Sequence, residues 1–284
     1  MNNEEQQRII ARLREYCAAK GSQNKAANSM NGVSSATISK MLAGEWNTIS
    51  EEMWRNVASQ IGHTGDTWQI APTRAHQRML FLLTEAQRDS LVLAITAEAG
   101  TGKTQAVREY AAAHREVSHL CCSEHWNRRT FMTQLLRSIG IDPRGSSVSE
   151  MMDDIIDTLA RRPTPLIVLD EADKLSDSVL YFFISLYNQL EGHCGILLLS
   201  TSYLEQRIKR GIRLSRKGYE EIFSRIGRKF VGLQAVNSDD IAAVCHANGV
   251  HSQADIKSIS TEAEGDLRRV KRAVWAHRRK GGVA

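Results

Sequence analysis

The stretch Ala97-Glu98-Ala99-Gly100-Thr101-Gly102-Lys103-Thr104 decides the fold. It follows the apolar run Leu91 to Ile95 and precedes a helix-compatible segment, Gln105 to Ala113. A strand, a glycine-bearing turn and a helix N-terminus in that order make a phosphate cradle. The turn aims backbone N–H groups at the phosphates, and the helix dipole adds positive potential. Ala99, Gly100, Thr101, Gly102, Lys103, Thr104 and Gln105 are the candidate lining. Lys103 can reach β- and γ-phosphates, and the Thr104 hydroxyl can hold Mg²⁺. The P-loop pattern opens with glycine, a position held here by Ala97, while Gly102-Lys103-Thr104 is unaltered.

About 65 residues beyond Lys103, Leu166-Ile167-Val168-Leu169-Asp170-Glu171 reads as a buried strand ending in two acids. Such a strand delivers carboxylates to the ligand edge of a parallel sheet. Asp170 would complete a Mg²⁺ shell through water, and Glu171 would orient or deprotonate an attacking water. Asp170-Glu171-Ala172-Asp173 also spells a helicase box, but those helicases need two sheet domains and this chain has room for one. Asp173 is therefore expected to cap the following helix.

Bulk composition is that of an ordinary soluble globular protein, with 42% hydrophobic and 24% charged residues in 284. The polar start, Met1 to Gln7, lacks the apolar core of a signal peptide, and no run suggests a membrane span. Five cysteines form no metal-ligand spacing, and the adjacent Cys121-Cys122 are poor geometry for a simple structural disulfide, so reduced thiols in a cytoplasmic protein are expected. The net charge of +5 is unevenly spread. Arg207, Lys209, Arg210, Arg213, Arg216, Lys217, Arg225, Arg228 and Lys229 form one cluster. Arg268, Arg269, Lys271, Arg272, Arg278, Arg279 and Lys280 form another. Both suit a polyanion partner, the alternative being two solvated helix faces.

Three regions separate along the chain. Residues 1–65 read as short helices, Glu4 to Ala19, Asn24 to Met30, Ser34 to Ala43 and Glu51 to Gln60. Asn31-Gly32-Val33-Ser34 forms a tight turn, with Ser34 or Ser35 as N-cap. Ile38 and Met41 or Leu42 would be buried, leaving Ser35, Thr37, Ser39 and Lys40 outward. Two short helices with a glycine turn resemble a phage-repressor helix-turn-helix, with Asn28 where a small residue is usual. DNA contact by Ser35, Thr37 and Lys40 and a purely structural bundle both remain open. Gly62 to Asp66 is the expected linker. Residues 66–232 alternate strands (91–96, 117–122, 165–170, 195–200) with amphipathic helices, which argues for a parallel sheet covered on both faces. Residues 233–284 read as all helix.

With the P-loop and the Asp-Glu strand in place, the chain resembles the AAA+ ATPases, an α/β class with a parallel sheet and helical lid. Ser200-Thr201 stands where that class carries a polar sensor 1 residue, which makes Thr201 the candidate. Ser224-Arg225-Ile226-Gly227-Arg228 resembles the box that supplies an arginine finger to the neighbouring subunit, with Arg225 as the finger. Gly265-Asp266-Leu267-Arg268 resembles sensor 2, which directs Arg268 to the γ-phosphate. The order of a helix-turn-helix domain, P-loop, Asp-Glu strand, Phe223-Ser224-Arg225-Ile226 and helical end resembles the phage Mu transposition protein B (MuB)-like family. Departures are Ala97, and Thr201 where relatives often have asparagine. That resemblance implies ATP with Mg²⁺, a homo-oligomeric filament or ring on double-stranded DNA, target delivery to a transposase and its activation. A helicase loader and a non-hydrolysing nucleotide-binding repressor are the alternatives. For DNA contact on the ATPase domain, Trp126, Arg128 and Arg129 in Glu124–Arg129 are the first candidates, against a capped helix start with a packed tryptophan. The Arg207–Lys217 stretch is the second.

Overall fold

The computed structural model describes residues 3–61, 68–143 and 145–281. It divides into two compact units, one through Gln69 and one from Ile70 onward. The expected linker, Gly62 to Asp66, lies outside the described residues.

The first unit is helical: α1 (Asn3–Lys20), α2 (Gln23–Asn28), α3 (Ser35–Ala43) and α4 (Glu51–Gln60). Ser22, Ser34 and Ser50 start α2, α3 and α4 by accepting a backbone N–H three residues on, which satisfies a donor the helix leaves orphaned. Between α2 and α3, Gly32 takes a φ of +69°, where a side chain would be strained. The turn is held from α4. The Gln60 side chain accepts from the Asn31 N–H at 2.6 Å and donates to its carbonyl at 2.9 Å, and Asn56 donates to that carbonyl at 3.1 Å. Ile9, Leu13, Ile38, Met41, Trp54 and Val57 fill the core. On α3, Ser39 and Lys40 are exposed. Ser35 and Thr37 are half-buried instead of outward, because they sit in the first turn, where the Thr37 hydroxyl bonds that of its cap Ser34 at 2.9 Å.

The second unit runs α5 (Arg74–Arg88), β1 (Val92–Thr96), α6 (Lys103–Ala113), β2 (Val117–Cys121), α7 (Arg128–Ser138), α8 (Val148–Ala160), β3 (Leu166–Asp170) and α9 (Asp177–Leu190). It continues with β4 (Gly195–Ser200), α10 (Ser202–Arg213), α11 (Tyr219–Arg225), β5 (Phe230–Gly232), α12 (Ser238–Ala247), α13 (Gln253–Ala263) and α14 (Leu267–Gly281). The five strands form one parallel sheet in the order β2-β3-β4-β1-β5. β5 is the strand that the sequence pattern does not announce.

Side-chain alternation with period two sorts the strands onto two faces. Ile95, Leu166, Val168, Leu197 and Leu199 pack with Leu83, Val107 and Tyr110 of α5 and α6. Ala94, Leu120, Ile167, Leu169, Ile196 and Leu198 pack with α7 to α11. Both faces are covered, which is why β1, β3 and β4 read as continuous apolar runs. Among the described residues no helix is long and apolar enough to cross a membrane.

Two long-range features fix the periphery. Arg74, at the start of α5, donates to buried Asp240 of α12 through its backbone at 2.9 Å and its guanidinium at 3.0 and 3.2 Å. Gly211 lets α10 approach α11 so closely that a Cβ there would lie 2.4–2.6 Å from Tyr219 ring atoms. Gly211→Ala should therefore cost about 1–3 kcal/mol through overpacking. Urea unfolding should show a lower midpoint at unchanged slope, and an unshifted midpoint would count against this packing.

Burial pushes the Asp240 carboxyl up, but hydrogen bonds from Arg74 and Asn237 outweigh it and hold the group below the usual carboxylate range. A depressed folded pKa contributes stability above the unfolded value of about 3.9 and loses it as pH falls through the folded value. Arg74→Ala should thus shrink the acid-side loss of stability below about pH 4 while destabilising the neutral protein. Denaturant titrations across pH measure both changes.

Candidate functional site

The P-loop joins the C-terminal end of β1 to the N-terminus of α6. Gly100 and Gly102 adopt φ of +79° and +90°, and no side chain caps α6 at Gly102, so its first-turn N–H groups face the loop. Ala97 stands outside the left-handed region, so the pattern's first glycine is not required by the backbone here. Lys103 Nζ donates to the carbonyls of Ala97 at 2.7 Å and Glu98 at 2.8 Å. Burial lowers the Lys103 pKa, an effect the carboxylates of Asp170, Asp173 and Glu171 oppose and Arg268 reinforces. The glycine turn, uncapped helix start and ammonium fit a polyphosphate. The group would be held by the loop amides, Lys103 and Thr104, and a bound Mg²⁺ would supply charge neutralisation at its terminal oxygens.

Opposite the loop, β4 separates β1 from β3, leaving the crevice at the strands' C-terminal edge where open α/β sheets take ligands. Asp170 ends β3 on the α6 face, in register with Leu166 and Val168, and is 1% exposed. Thr104 Oγ1 donates to its Oδ2 at 2.7 Å, and the Glu171 N–H donates to its Oδ1 at 3.0 Å. His119 Nε2 lies 3.4 Å from Oδ2. Burial pushes this carboxyl up, yet the bonds from His119 and Thr104, the imidazole charge and the Glu171 amide prevail and hold it below its usual range.

Glu171 occupies the left-handed region at φ 57°, ψ 39°, costly for a residue with a Cβ. Its carboxylate pairs with Lys174 at 2.6 Å. Asp173 does not cap the next helix, because Ser176 occupies that position. Its carboxylate instead accepts from Thr201 Oγ1 at 3.1 Å. Thr201, at the end of β4, is thereby tied to the turn that carries Glu171.

The segment Gly265–Arg268 closes onto the loop from the lid side. The Leu267 N–H donates to the Gly100 carbonyl at 3.0 Å, and a Cβ at Gly100 would lie 2.1 Å from Asp266 Oδ1 and 3.0 Å from its Cα. Asp266 also accepts from the Arg268 N–H at 2.7 Å, leaving the exposed Arg268 side chain beside the Lys103 field. Arg225 lies elsewhere. It bonds Asn188 Oδ1 at 2.8 and 3.0 Å and covers the Tyr187 ring on α9.

The residues nominated for DNA separate. Arg128 and Arg129 are exposed at the start of α7, with Arg128 over the Phe182 ring and Asn127 capping the helix. Trp126 is half-buried against the core, as a packed tryptophan. Arg207 is withdrawn from the basic cluster. It donates to the Leu175 and Asp173 carbonyls and pairs with Asp177, bracing α10 against the turn after β3. Arg210, Arg213, Arg216 and Lys217 stay exposed. His119 was not anticipated from the sequence; only strand register brings it to Asp170.

A five-stranded parallel sheet of this order, with P-loop, acid-tipped third strand and helical end, defines a P-loop ATPase fold of the AAA+ class. The AAA domain family model designated AAA_22 matches residues 86–208, which include the P-loop, Asp170, Glu171 and Thr201 but neither Arg225 nor Arg268. The Orc1 protein of Aeropyrum pernix, solved in complex with DNA, superposes with a TM-score of 0.53 at 17% identity, covering 76% of this chain and 63% of that one. The chain therefore spans less than two thirds of that structure. The Mu-like prophage FluMu DNA transposition protein B of Haemophilus influenzae is 26% identical over 201 residues, 68% of each chain. That similarity and the AAA domain match together support a MuB-like AAA+ ATPase.

Gly100→Ala would force both a left-handed alanine and a collision with Asp266. Affinity for a fluorescent ADP analogue should fall about tenfold or more. Unaltered affinity would separate loop geometry from nucleotide binding.

Proposed function

We propose that this chain is an ATP-dependent DNA-binding protein that oligomerises on duplex DNA, delivers target DNA to a transposase and activates it, with hydrolysis driving disassembly. The observation that carries the ATPase reading is the Thr104–Asp170 hydrogen bond with Glu171 directly behind it. It sets the two Mg²⁺ candidates against each other beneath the phosphate loop. Lys103 binds phosphate, Glu171 prepares the attacking water and Thr201 senses the outcome through Asp173. Arg268 reaches the γ-phosphate from the lid. Arg225 acts on the neighbouring subunit's nucleotide, so turnover needs assembly. Its placement at the end of α11, held against Asn188 and Tyr187 of α9 and away from its own P-loop, suits a group that works in trans.

The DNA and transposase assignments draw on the name of the Haemophilus relative and on the exposed cations of α7, α10 and α14. Arg128, Arg129 and the Arg210–Lys217 stretch would neutralise phosphates. The helical unit preceding the ATPase, with Ser35, Thr37 and Lys40 on α3, supplies a second contact. The domain limits proposed are 1–65, 66–232 and 233–284, the last a lid. A location in the cytoplasm accompanies this reading.

Negative-stain microscopy with duplex DNA, with and without ATP, tests oligomer, nucleotide and DNA together. ATP-dependent filaments or rings are expected, and Lys103→Ala should abolish them. Glu171→Gln should trap the assembled state and slow turnover by roughly 10²-fold or more. Arg225→Ala should lower turnover while preserving nucleotide affinity of the monomer. A variant protein at Lys103 that still assembles, or an enzyme equally active at high dilution, overturns the corresponding part.

A further inference from the structure

β2 and β3 pair so that Cys121 lies directly opposite Asp170, with His119 two residues back opposite Val168. The period-two rule puts Val117, His119 and Cys121 on the face that also carries Asp170, while Leu120 and Cys122 join the core on the other side. Three different ligand atoms therefore converge at one sheet edge. His119 Nε2 is 3.4 Å from Asp170 Oδ2 and 3.8 Å from Cys121 Sγ, and all three atoms lie within 4.8 Å of one another. Around a tetrahedral ion with bonds of about 2.0–2.3 Å, ligand atoms stand about 3.3–3.6 Å apart. The observed spacing needs only small side-chain adjustments to reach that arrangement.

We propose that His119, Cys121 and Asp170 form a binding site for a soft divalent cation such as Zn²⁺, distinct in chemistry from the oxygen-only shell of Mg²⁺. Imidazole and thiolate ligands select a borderline or soft metal, whereas Mg²⁺ takes oxygen ligands. On binding, Cys121 releases its thiol proton to solvent as the S–metal bond forms. The imidazole of His119 gives up to solvent the Nε2 proton it directs at Asp170, freeing the Nε2 lone pair for the metal, and Asp170 contributes its Oδ2. Water takes the fourth position, because Cys121 is exposed. Burial and the Asp170 charge raise the Cys121 thiol, with Arg108 of α6 opposing them, so the thiolate forms only as the metal binds. The thiols of Cys122 and Cys194 are buried and outside this cluster, whereas Cys121 is exposed beside His119 and Asp170.

Occupancy has a consequence that rests on the ATPase reading above. Oδ2 is the oxygen that accepts from Thr104, so the soft metal takes that carboxylate oxygen out of the Mg²⁺ arrangement. Micromolar Zn²⁺ thereby inhibits turnover.

The test uses the full-length protein and Co²⁺ as the spectroscopic probe. One equivalent should give a thiolate-to-cobalt charge-transfer band and the intense ligand-field bands of tetrahedral geometry. Loss of an outer partner of a metal ligand already weakens metal sites about 10–100-fold. Cys121→Ser and His119→Ala, which remove ligands themselves, should weaken binding by at least that much. The exposed Cys121→Ser change leaves the core untouched, and circular dichroism checks the fold. A spectrum without the thiolate band, or one unchanged by Cys121→Ser, overturns the site. Zn²⁺ should inhibit ATP turnover in the wild type but not in Cys121→Ser; inhibition that survives the substitution overturns the shared-oxygen step. If the protein proves not to bind nucleotide, the Co²⁺ spectra still decide the site.

Discussion

A single carboxylate withdrawn from water organises the second unit. Asp170 sits at the end of a fully buried strand, where its charge survives only because the structure surrounds it with donors: a hydroxyl from α6, an imidazole from β2 and the amide of its own neighbour. An unpaired charge at that depth would cost several kcal/mol. Three elements distant in sequence must therefore arrive together, and their arrival fixes the register of β2 on β3 and the position of α6 over the sheet. The P-loop inherits its place from that arrangement. The lid inherits its own from the P-loop, through Gly100, Asp266 and Leu267.

Much of this was legible in the residues. Three strands announce themselves because sheets buried on both faces need uninterrupted apolar runs, as in Leu166–Leu169 and Ile196–Leu199, and β2 shows more weakly because Ser118 and His119 interrupt it. The glycines and Lys103-Thr104 carry a chemical pattern that few other structures need. What stayed hidden was set by pairing across the fold. Phe230–Gly232 is too short and too close to charged residues to read as a strand, and it exists because β1 offers it a free edge. His119 looks unremarkable until β2 is laid beside β3. Asp173 and Thr201 are 28 positions apart and Arg74 and Asp240 are 166 apart, so no local spacing connects either pair.

The basic clusters illustrate the same limit. Counting charges in 205–230 treats Arg207 and Arg210 alike, but one braces the turn after β3 and the other faces solvent. The α10 helix separates them by half burying one side of its surface and exposing the other. Arg278 and Arg279 on α14 differ in the same way: the first donates to the Asn248 carbonyl, and the second stacks on the exposed ring of Trp275. Charge density along a sequence overstates the charge a surface can offer to a partner.

The left-handed backbone at Glu171 bears on how this protein can evolve. Glycine or asparagine would occupy φ 57° with less strain, worth about 1–2 kcal/mol to the fold. Drift toward greater stability therefore pushes directly against the carboxylate at this position. A lineage released from the need for that carboxylate should lose Glu171 early, with its fold strengthened by the change, while Asp170 beside it persists because the sheet itself depends on it.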